Sequence, residues 1–131
     1  HTLEVIELCL RTNEYYNNIV NPQYIILAAL FHDSGKMFDY IPKDDTYQDW
    51  SKGTHARQIH HVSKSAIIWH DAVKSSKLFE DDEEIITHAI LSHHGLREWG
   101  SPVAPSTKLA WILHLNDGIS ARIDDCDKYD R

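Results

Sequence analysis

The chain is poor in the residues that mark secreted and membrane proteins. Its 131 residues include 2 cysteines, Cys9 and Cys126, which form no CxxC pair and no disulfide framework. Such cysteine usage is typical of a reducing, cytoplasmic setting. The longest apolar run extends from Tyr24 to Phe31, far short of the ~20 residues that a transmembrane helix needs. The sequence therefore predicts a cytoplasmic protein that does not enter a membrane.

Basic residues are also fewer than acidic ones. Lysine and arginine total 13 against 20 aspartates and glutamates, which gives a net charge of −7. Because contacts to phosphate dominate nucleic-acid affinity, the chain alone is expected to bind nucleic acid weakly. A nucleotide, or the end of a nucleic-acid strand, can still serve as a substrate. The sequence is compatible with a monomer and with an oligomer.

Runs of alternating apolar and polar residues, which mark half-buried strands, are scarce as well. Long stretches instead repeat their apolar residues at the helical period. We therefore predict an all-α domain, a compact bundle of about five to six helices that spans residues 1–131. Since the chain begins at His1 rather than at a methionine, we expect it to be a piece of a longer protein.

Two helices and a long loop are predicted in the first part of the chain. The first helix extends from about Thr2 to Asn17, with Leu3, Ile6 and Leu10 on its buried side. The second begins with Asn21 as cap and Pro22 at the first helical position. It is apolar all round, hence central, and Gly35 is expected to end it in a left-handed turn. Residues Lys36 to Thr54 are predicted to form a loop of the length that often serves as a lid.

Three more helices are predicted in the remainder. They cover about His55–Lys77, Glu80–Gly95 and Ser106–Lys128. The acidic start of the middle one suits the positive end of a helix dipole, and two prolines exclude helix from Gly100 to Pro105. The residues expected to be buried are Ile59, Val62, Ala66, Trp69 and Val73, followed by Ile85, Ile86, Ala89 and Ile90.

Histidine, by contrast, is abundant, with 10 residues. Imidazoles and carboxylates together are the ligands that borderline divalent metals prefer. His32 and Asp33 follow the apolar helix, where a charged carboxylate is costly unless it is paired or bound to a metal. A salt bridge of Asp33, with His32 as a helix cap, explains this pair equally well.

Other histidines and one aspartate lie near predicted buried faces. His93 and His94 flank the apolar face of the fourth helix, just before Gly95. At about 100° per residue, His61 lies roughly 110° from the centre of the buried seam of the third helix, and His60 roughly 150°. His61 is therefore the better inward candidate. Asp117 shares a face with Ala110 and Leu113, and His114, three residues earlier, is expected to support it by a hydrogen bond.

The order of these residues resembles the HD-domain superfamily of metal-dependent phosphohydrolases. Phe31-His-Asp-Ser-Gly-Lys36 matches the HDxGK signature of that family. The segments Leu91–Gly95, Glu98–Pro105 and Ile112–His114, with Asp117 after them, are similar to one subfamily, the bacterial 3′-to-5′ exoribonucleases. In those enzymes an oligonucleotide-binding domain precedes the HD domain.

The resemblance implies a set of ligands and a reaction. One divalent ion would take His1, His32, Asp33 and Asp117, and a second would take Asp33, His61, His93 and His94. Mn, Fe, Zn, Ni and Co all suit such ligands. Two ions would activate water for attack on phosphorus. Asp33, shared by both ions, and Lys36, which would neutralise phosphate charge, are the implied catalytic residues.

The implied function is hydrolysis of a phosphoester in a nucleotide or at a nucleic-acid 3′ end. The alternatives are a di-iron oxygenase with an HD-type fold and a non-catalytic, metal-binding regulatory module. Arg97 and Arg122 are weaker candidates for phosphate contacts, with ordinary surface charge as the alternative. Trp50 and Trp99 are candidates for stacking on a base, although packing in the core is the stronger expectation for both.

Overall fold

The computed structural model describes residues 1–76 and 80–128 as helices linked by short turns and one small hairpin. The helices are α1 (Thr2–Tyr15), α2 (Pro22–Phe31), α3 (Thr54–Gln58), α4 (His61–Val73), α5 (Glu80–Ser92) and α6 (Lys108–Cys126). The antiparallel strands β1 (Tyr40–Pro42) and β2 (Trp50–Lys52) form the hairpin. The prediction of an all-α fold is confirmed. Within the described ranges, no helix combines the length and apolarity needed to cross a membrane.

Side-chain caps set the start of three of the helices, among them α2 and α6. Asn21 accepts a hydrogen bond from the amide of Gln23 at 2.9 Å, and Pro22 occupies the first turn of α2, as predicted. The hydroxyl of Thr107 accepts from the amide of Ala110 at 3.1 Å and begins α6.

The core lies where α1, α2, α5 and α6 meet, with α4 closing one side. Trp69 is its largest buried side chain, and the indole N–H donates to the hydroxyl of Thr87 at 3.0 Å. The buried apolar residues are Val5, Cys9, Ile25, Ala28, Ala29, Trp69, Ile86, Ala89, Ile90, Leu109, Ala110, Ile112 and Leu113. Burial beside Asp117 raises the pKa of Cys9 to about 12, so this thiol stays protonated at neutral pH.

The predicted buried face of α1 is wrong at one position. Leu3 is 82% exposed, whereas Val5, Cys9 and Asn13 point inward. Asn13 fixes this rotation of the helix, because its side chain donates to the Val20 carbonyl at 2.8 Å and accepts from the Val20 amide at 3.0 Å. A buried amide with both partners satisfied determines which face of the helix turns inward.

Other predicted core positions also lie at the surface. Ile59 and Ile85 are exposed, because Ile59 falls between two helices and Ile85 points away from the buried side of α5. The apolar helix α2 is central on one side only, since Ile26 and Leu30 are exposed.

The segment from Lys36 to Thr54 is more ordered than the predicted loop. It consists of a 3₁₀ turn (Lys36–Asp39) and the hairpin, with α3 following at its end. Strands of three residues are too short to produce a recognisable alternation of apolar and polar residues.

The helix predicted over His55–Lys77 is interrupted. His60 has a positive φ of 70° and lies between α3 and α4, where its ring accepts from the amide of Val62 at 3.4 Å. The second helix ends at Val73, and the predicted end at Lys77 lies outside the described residues. The break makes His61 the first residue of α4.

Gly35 is required for close packing rather than for a left-handed turn. Its φ is −83°, so the predicted left-handed conformation is wrong. A Cβ atom at this position would lie 2.7 Å from the His61 carbonyl oxygen and 2.7 Å from the Ser65 amide nitrogen. The Gly35 amide also donates to the Ser65 hydroxyl at 2.9 Å. The turn that follows α2 therefore packs directly on the first turn of α4.

We expect Gly35→Ala to destabilise the fold by about 1–3 kcal/mol, because a methyl group there forces two backbone segments apart. Chemical denaturation measures this change. Gly118→Ala is the matched control: Gly118 lies within α6, and a Cβ there meets no described atom within 4 Å. That control should gain about 0.5–1 kcal/mol. Equal effects of the two substitutions would contradict the packing argument.

Candidate metal centre

Side chains from five helices meet at one end of the bundle. His1 precedes α1, His32 and Asp33 follow α2, and His61 begins α4. His93 and His94 follow α5, while Asp117 projects from the middle of α6. The structure thus brings together all seven residues that the sequence pointed to as ligands. We call them the seven-residue cluster.

The cluster divides into two groups that share one carboxylate. His1, His32, Asp33 and Asp117 offer ligand atoms within 4.8 Å of one another, and so do Asp33, His61, His93 and His94. The two Asp33 oxygens face opposite groups: Oδ2 lies 3.4 Å from His32 Nε2, and Oδ1 lies 3.3 Å from His93 Nε2. Asp33 can therefore bridge two cations.

Backbone carbonyls hold three of the imidazoles by their Nδ1 atoms. His32 Nδ1 contacts the Ala29 carbonyl at 2.5 Å, and His93 Nδ1 contacts the Ile90 carbonyl at 2.6 Å. His94 Nδ1 bonds to the Trp99 carbonyl in the same way. A carbonyl oxygen only accepts, so each Nδ1 must donate its proton. In the neutral ring this leaves a lone pair on Nε2.

The remaining two histidines are anchored by side chains. His61 Nδ1 donates to Asp39 Oδ2 at 2.9 Å, and His1 Nδ1 pairs with the Ser120 hydroxyl at 3.0 Å. All five rings therefore bind the protein through Nδ1 and direct Nε2 inward. Metal-binding histidines are commonly fixed in this way, with the non-ligating nitrogen hydrogen-bonded to the protein.

The inward Nε2 atoms face one another or face carboxylate oxygens. His61 Nε2 lies 3.1 Å from His94 Nε2, and His32 Nε2 lies 3.3 Å from Asp117 Oδ1. Two acceptors at these distances repel each other unless a positive charge, a proton or a metal ion, lies between them. The donor set therefore fits a divalent cation, with imidazole nitrogen and carboxylate oxygen as ligands.

His93 supplies the clearest sign of a missing partner. Its ring is buried, and among the described residues its Nε2 makes no hydrogen bond, although Asp33 Oδ1 is 3.3 Å away. Buried polar atoms are nearly always satisfied, so this nitrogen is suited to ligation. A metal ion held with Asp33 would satisfy it.

The charges of the cluster are also suited to a cation. Burial raises the pKa of Asp33, but the imidazoles of His93 and His32 and the Lys36 ammonium outweigh it and hold that pKa well below its usual range. Burial and the neighbouring His93 lower the pKa of His94 to about 4. Burial likewise lowers the pKa of His61, against the opposing effect of Asp39. At neutral pH the site thus offers an ionised Asp33 carboxylate beside the uncharged imidazoles of His61 and His94. Burial lowers the pKa of His32, but the hydrogen bond to Asp117 and the charge of Asp33 outweigh it and raise that pKa.

The choice of His61 over His60 agrees with the structure, but for a different reason. His61 is buried and joins the cluster, whereas His60 is half-buried and caps α4. The helix is broken at His60, so the inward position of His61 at the start of α4 does not follow from the angle between residues of one continuous helix. His114 donates to the His93 carbonyl at 2.8 Å, so its expected support of Asp117 is wrong.

Comparison with known proteins agrees with this geometry. The HD domain family matches residues 1–122. This chain belongs to the HD domain family. The resemblance found in the sequence is thereby confirmed.

The curated relatives of this HD domain are longer proteins. It is 33% identical to the 3′-5′ exoribonuclease YhaM of Listeria welshimeri, and 30% identical to proteins of that name from Shouchella clausii and Bacillus licheniformis. Each alignment covers 98% of this chain and 39% of the relative. The chain therefore spans about two-fifths of the length of the curated relatives it matches. No solved structure matches it.

Two residues that support the cluster were not predicted from the sequence. Asp39 is buried at the end of the 3₁₀ turn, and its Oδ2 accepts from both the ring and the amide of His61. Its Oδ1 accepts from His55 Nδ1 at 2.8 Å. In the sequence, Asp39 is one of several acidic residues in a segment without helical periodicity, and nothing distinguishes it from Asp44 or Asp45.

A third group of possible ligands, Asp39, His60 and His61, overlaps this network. Its donor atoms are already engaged, because Asp39 accepts from His55 and His61, and His60 Nδ1 accepts from Val62. This group therefore serves as hydrogen-bonded support for His61 rather than as a separate site.

We expect Asp39→Asn to weaken metal binding about 10- to 100-fold, because an amide no longer holds the Nδ1–H tautomer of His61 as a carboxylate does. Titration with Mn²⁺ followed by calorimetry measures this affinity. Asp44→Asn is the control, since Asp44 is exposed and its carboxylate accepts from Thr46 in the same turn. Unchanged Mn²⁺ affinity in the Asp39 variant would show that Asp39 does not position His61.

Proposed function

We propose that this HD domain is a metal-dependent phosphohydrolase that acts through two divalent ions on a nucleotide or on the 3′ end of a nucleic acid. The observation that carries the proposal is the pair of four-residue groups that share Asp33. Membership of the HD domain family and the exoribonuclease names of the relatives support it. The ions would be Mn, Fe, Zn, Ni or Co.

The ligand assignment follows the two groups. His1, His32 and Asp117 would hold one ion, His61, His93 and His94 the other, and Asp33 both. When bound, such ions supply Lewis-acid activation of water and neutralise charge at phosphorus. The protein's own contribution is to fix the imidazoles through Nδ1 and to keep those of His61 and His94 uncharged, so that these two rings do not repel a dication.

Lys36 is proposed to neutralise a phosphate oxygen of the substrate. It follows the His-Asp pair and lines the same cavity as Asp33 and His1. Its ammonium is close enough to Asp33 to lower the pKa of that carboxyl. Because the side chain is exposed, it can follow a phosphate group as the group approaches and leaves.

The size of the substrate and the location of the protein are proposed from the composition. With a net charge of −7, we propose that this chain acts on small phosphoesters and short nucleic-acid ends, and binds long strands weakly. The cytoplasm is the proposed location.

Asp33→Ala is expected to abolish both metal binding and phosphoester hydrolysis, because it removes the one ligand assigned to both ions. Elemental analysis of the purified protein, together with hydrolysis of bis(p-nitrophenyl) phosphate, measures the two effects. Asp71→Ala is the control, since Asp71 is exposed on α4 and pairs only weakly with Lys74 at 3.6 Å.

Lys36→Ala separates the contact to phosphate from metal binding within the same experiment. Turnover should fall about tenfold, somewhat less than for a buried donor, while the metal content stays unchanged. Lys43→Ala, an exposed lysine of the hairpin segment, should leave turnover unchanged. A metal-loaded wild-type protein that consumes dioxygen and releases no phosphate ester product would overturn the proposal in favour of an oxygenase.

A further inference from the structure

We propose that the single-stranded part of the substrate lies in the larger of two cavities beside the metal centre. Arg97, Arg122 and Lys52 would contact its phosphates there, and Trp99 would stack on a base. This inference rests on the proposed function and adds to it a direction of approach and a recognition surface. We call these four residues the strand track.

Two cavities border the seven-residue cluster. The larger has a volume of about 630 Å³ and reaches His61, His93, His94 and Asp117. The smaller, of about 560 Å³, reaches His1 and Asp33. Both therefore give access to the proposed ions, and either is large enough to hold a nucleotide.

The charges at the two openings differ. The larger cavity is lined by Lys52, Arg97 and Arg122, with Glu98 as the one exposed acidic residue among its described lining residues. The smaller has Lys36 as its only cation among the described lining residues, against the exposed Glu4, Asp124 and Asp125. A strand with one negative charge per nucleotide is attracted to the first opening and repelled by the second.

The three cations of the track are available for phosphate. Among the described residues, Arg97 and Lys52 take part in no ion pair. Arg122 lies 3.6 Å from Asp125, and both side chains are more than half exposed. Such a surface pair is weak, so exchanging it for a phosphate costs little.

Trp99 has the features of a stacking platform. Its side chain is 55% exposed, so the expectation that it packs in the core is wrong, as it is for Trp50 at 49%. Trp99 lines the larger cavity, and its backbone carbonyl holds His94, a proposed metal ligand. Stacking on aromatic side chains is the sequence-tolerant contact of proteins that bind single strands.

The track also accounts for the weak binding expected of this acidic chain. Three cations neutralise about three phosphates, and single strands lose affinity with a slope of about 0.7 per phosphate in a logarithmic salt plot. A short oligonucleotide should therefore bind with a slope near 2. Further nucleotides should add little affinity, because the chain as a whole carries a net charge of −7.

Fluorescence anisotropy with a labelled, phosphorothioate-linked octauridylate tests the stacking contact, since this probe resists hydrolysis. Trp99→Ala should raise the dissociation constant about fivefold or more. Trp111→Ala is the matched control, because Trp111 is 47% exposed on α6 and lines neither cavity. Equal effects of the two tryptophan variants would overturn the proposal.

The salt dependence tests the phosphate contacts. Arg97→Gln and Arg122→Gln should each lower the slope by about 0.7, whereas Arg11→Gln, which removes the same charge from α1, should leave it unchanged. A slope that responds to Lys36→Gln and not to the two arginines would place the strand in the smaller cavity and overturn the proposal. Binding is measured separately from hydrolysis. If the oligonucleotide binds as predicted but the protein hydrolyses no phosphoester, the proposed function is refuted and the strand track is not.

Discussion

The structure depends on how five imidazole rings are fixed. Each ring engages the protein through Nδ1, using the carbonyls of Ala29, Ile90 and Trp99 and the side chains of Asp39 and Ser120. The Nε2 atoms are thereby directed at one another and at two carboxylates. This arrangement is repulsive unless positive charge lies between them, and it is the physical basis for assigning a metal centre here.

The course of the backbone follows from this constraint. Ligands at helix ends can converge only if those ends lie on the same side of the bundle. Local features of the sequence determine where each of these helices begins or ends. Gly35 allows the turn after α2 to pack directly on α4, the positive φ of His60 starts α4 at His61, and Gly95, with φ of 81°, ends the turn after His94. A positive φ at a non-glycine residue costs of order 1 kcal/mol of folding free energy. At His60, the contacts of the ring with His61 and Val62 offset this cost.

The sequence predicted which histidines and aspartates come together better than it predicted their surroundings. The seven residues were found because histidines and aspartates recur in a known order beside apolar helical faces. Asp39 and His55 were missed, because hydrogen bonds between a loop and a helix start follow no period. The exposure of Leu3 was missed because helical phase shows which residues share a face, but the hydrogen bonds of Asn13 decide which face is buried. The exposure of Trp99 was missed because this residue lies in a short turn, where no period separates buried from exposed positions.

Two cations are proposed to occupy the cluster and to share Asp33. Anomalous diffraction from crystals grown with Mn²⁺ tests it most directly, because the signal locates each ion without reference to the ligands. We expect two peaks on either side of Asp33, one contacting His32 and Asp117 and the other contacting His61 and His93. A single peak bound by Asp39, or no peak in crystals that diffract well, would contradict the account.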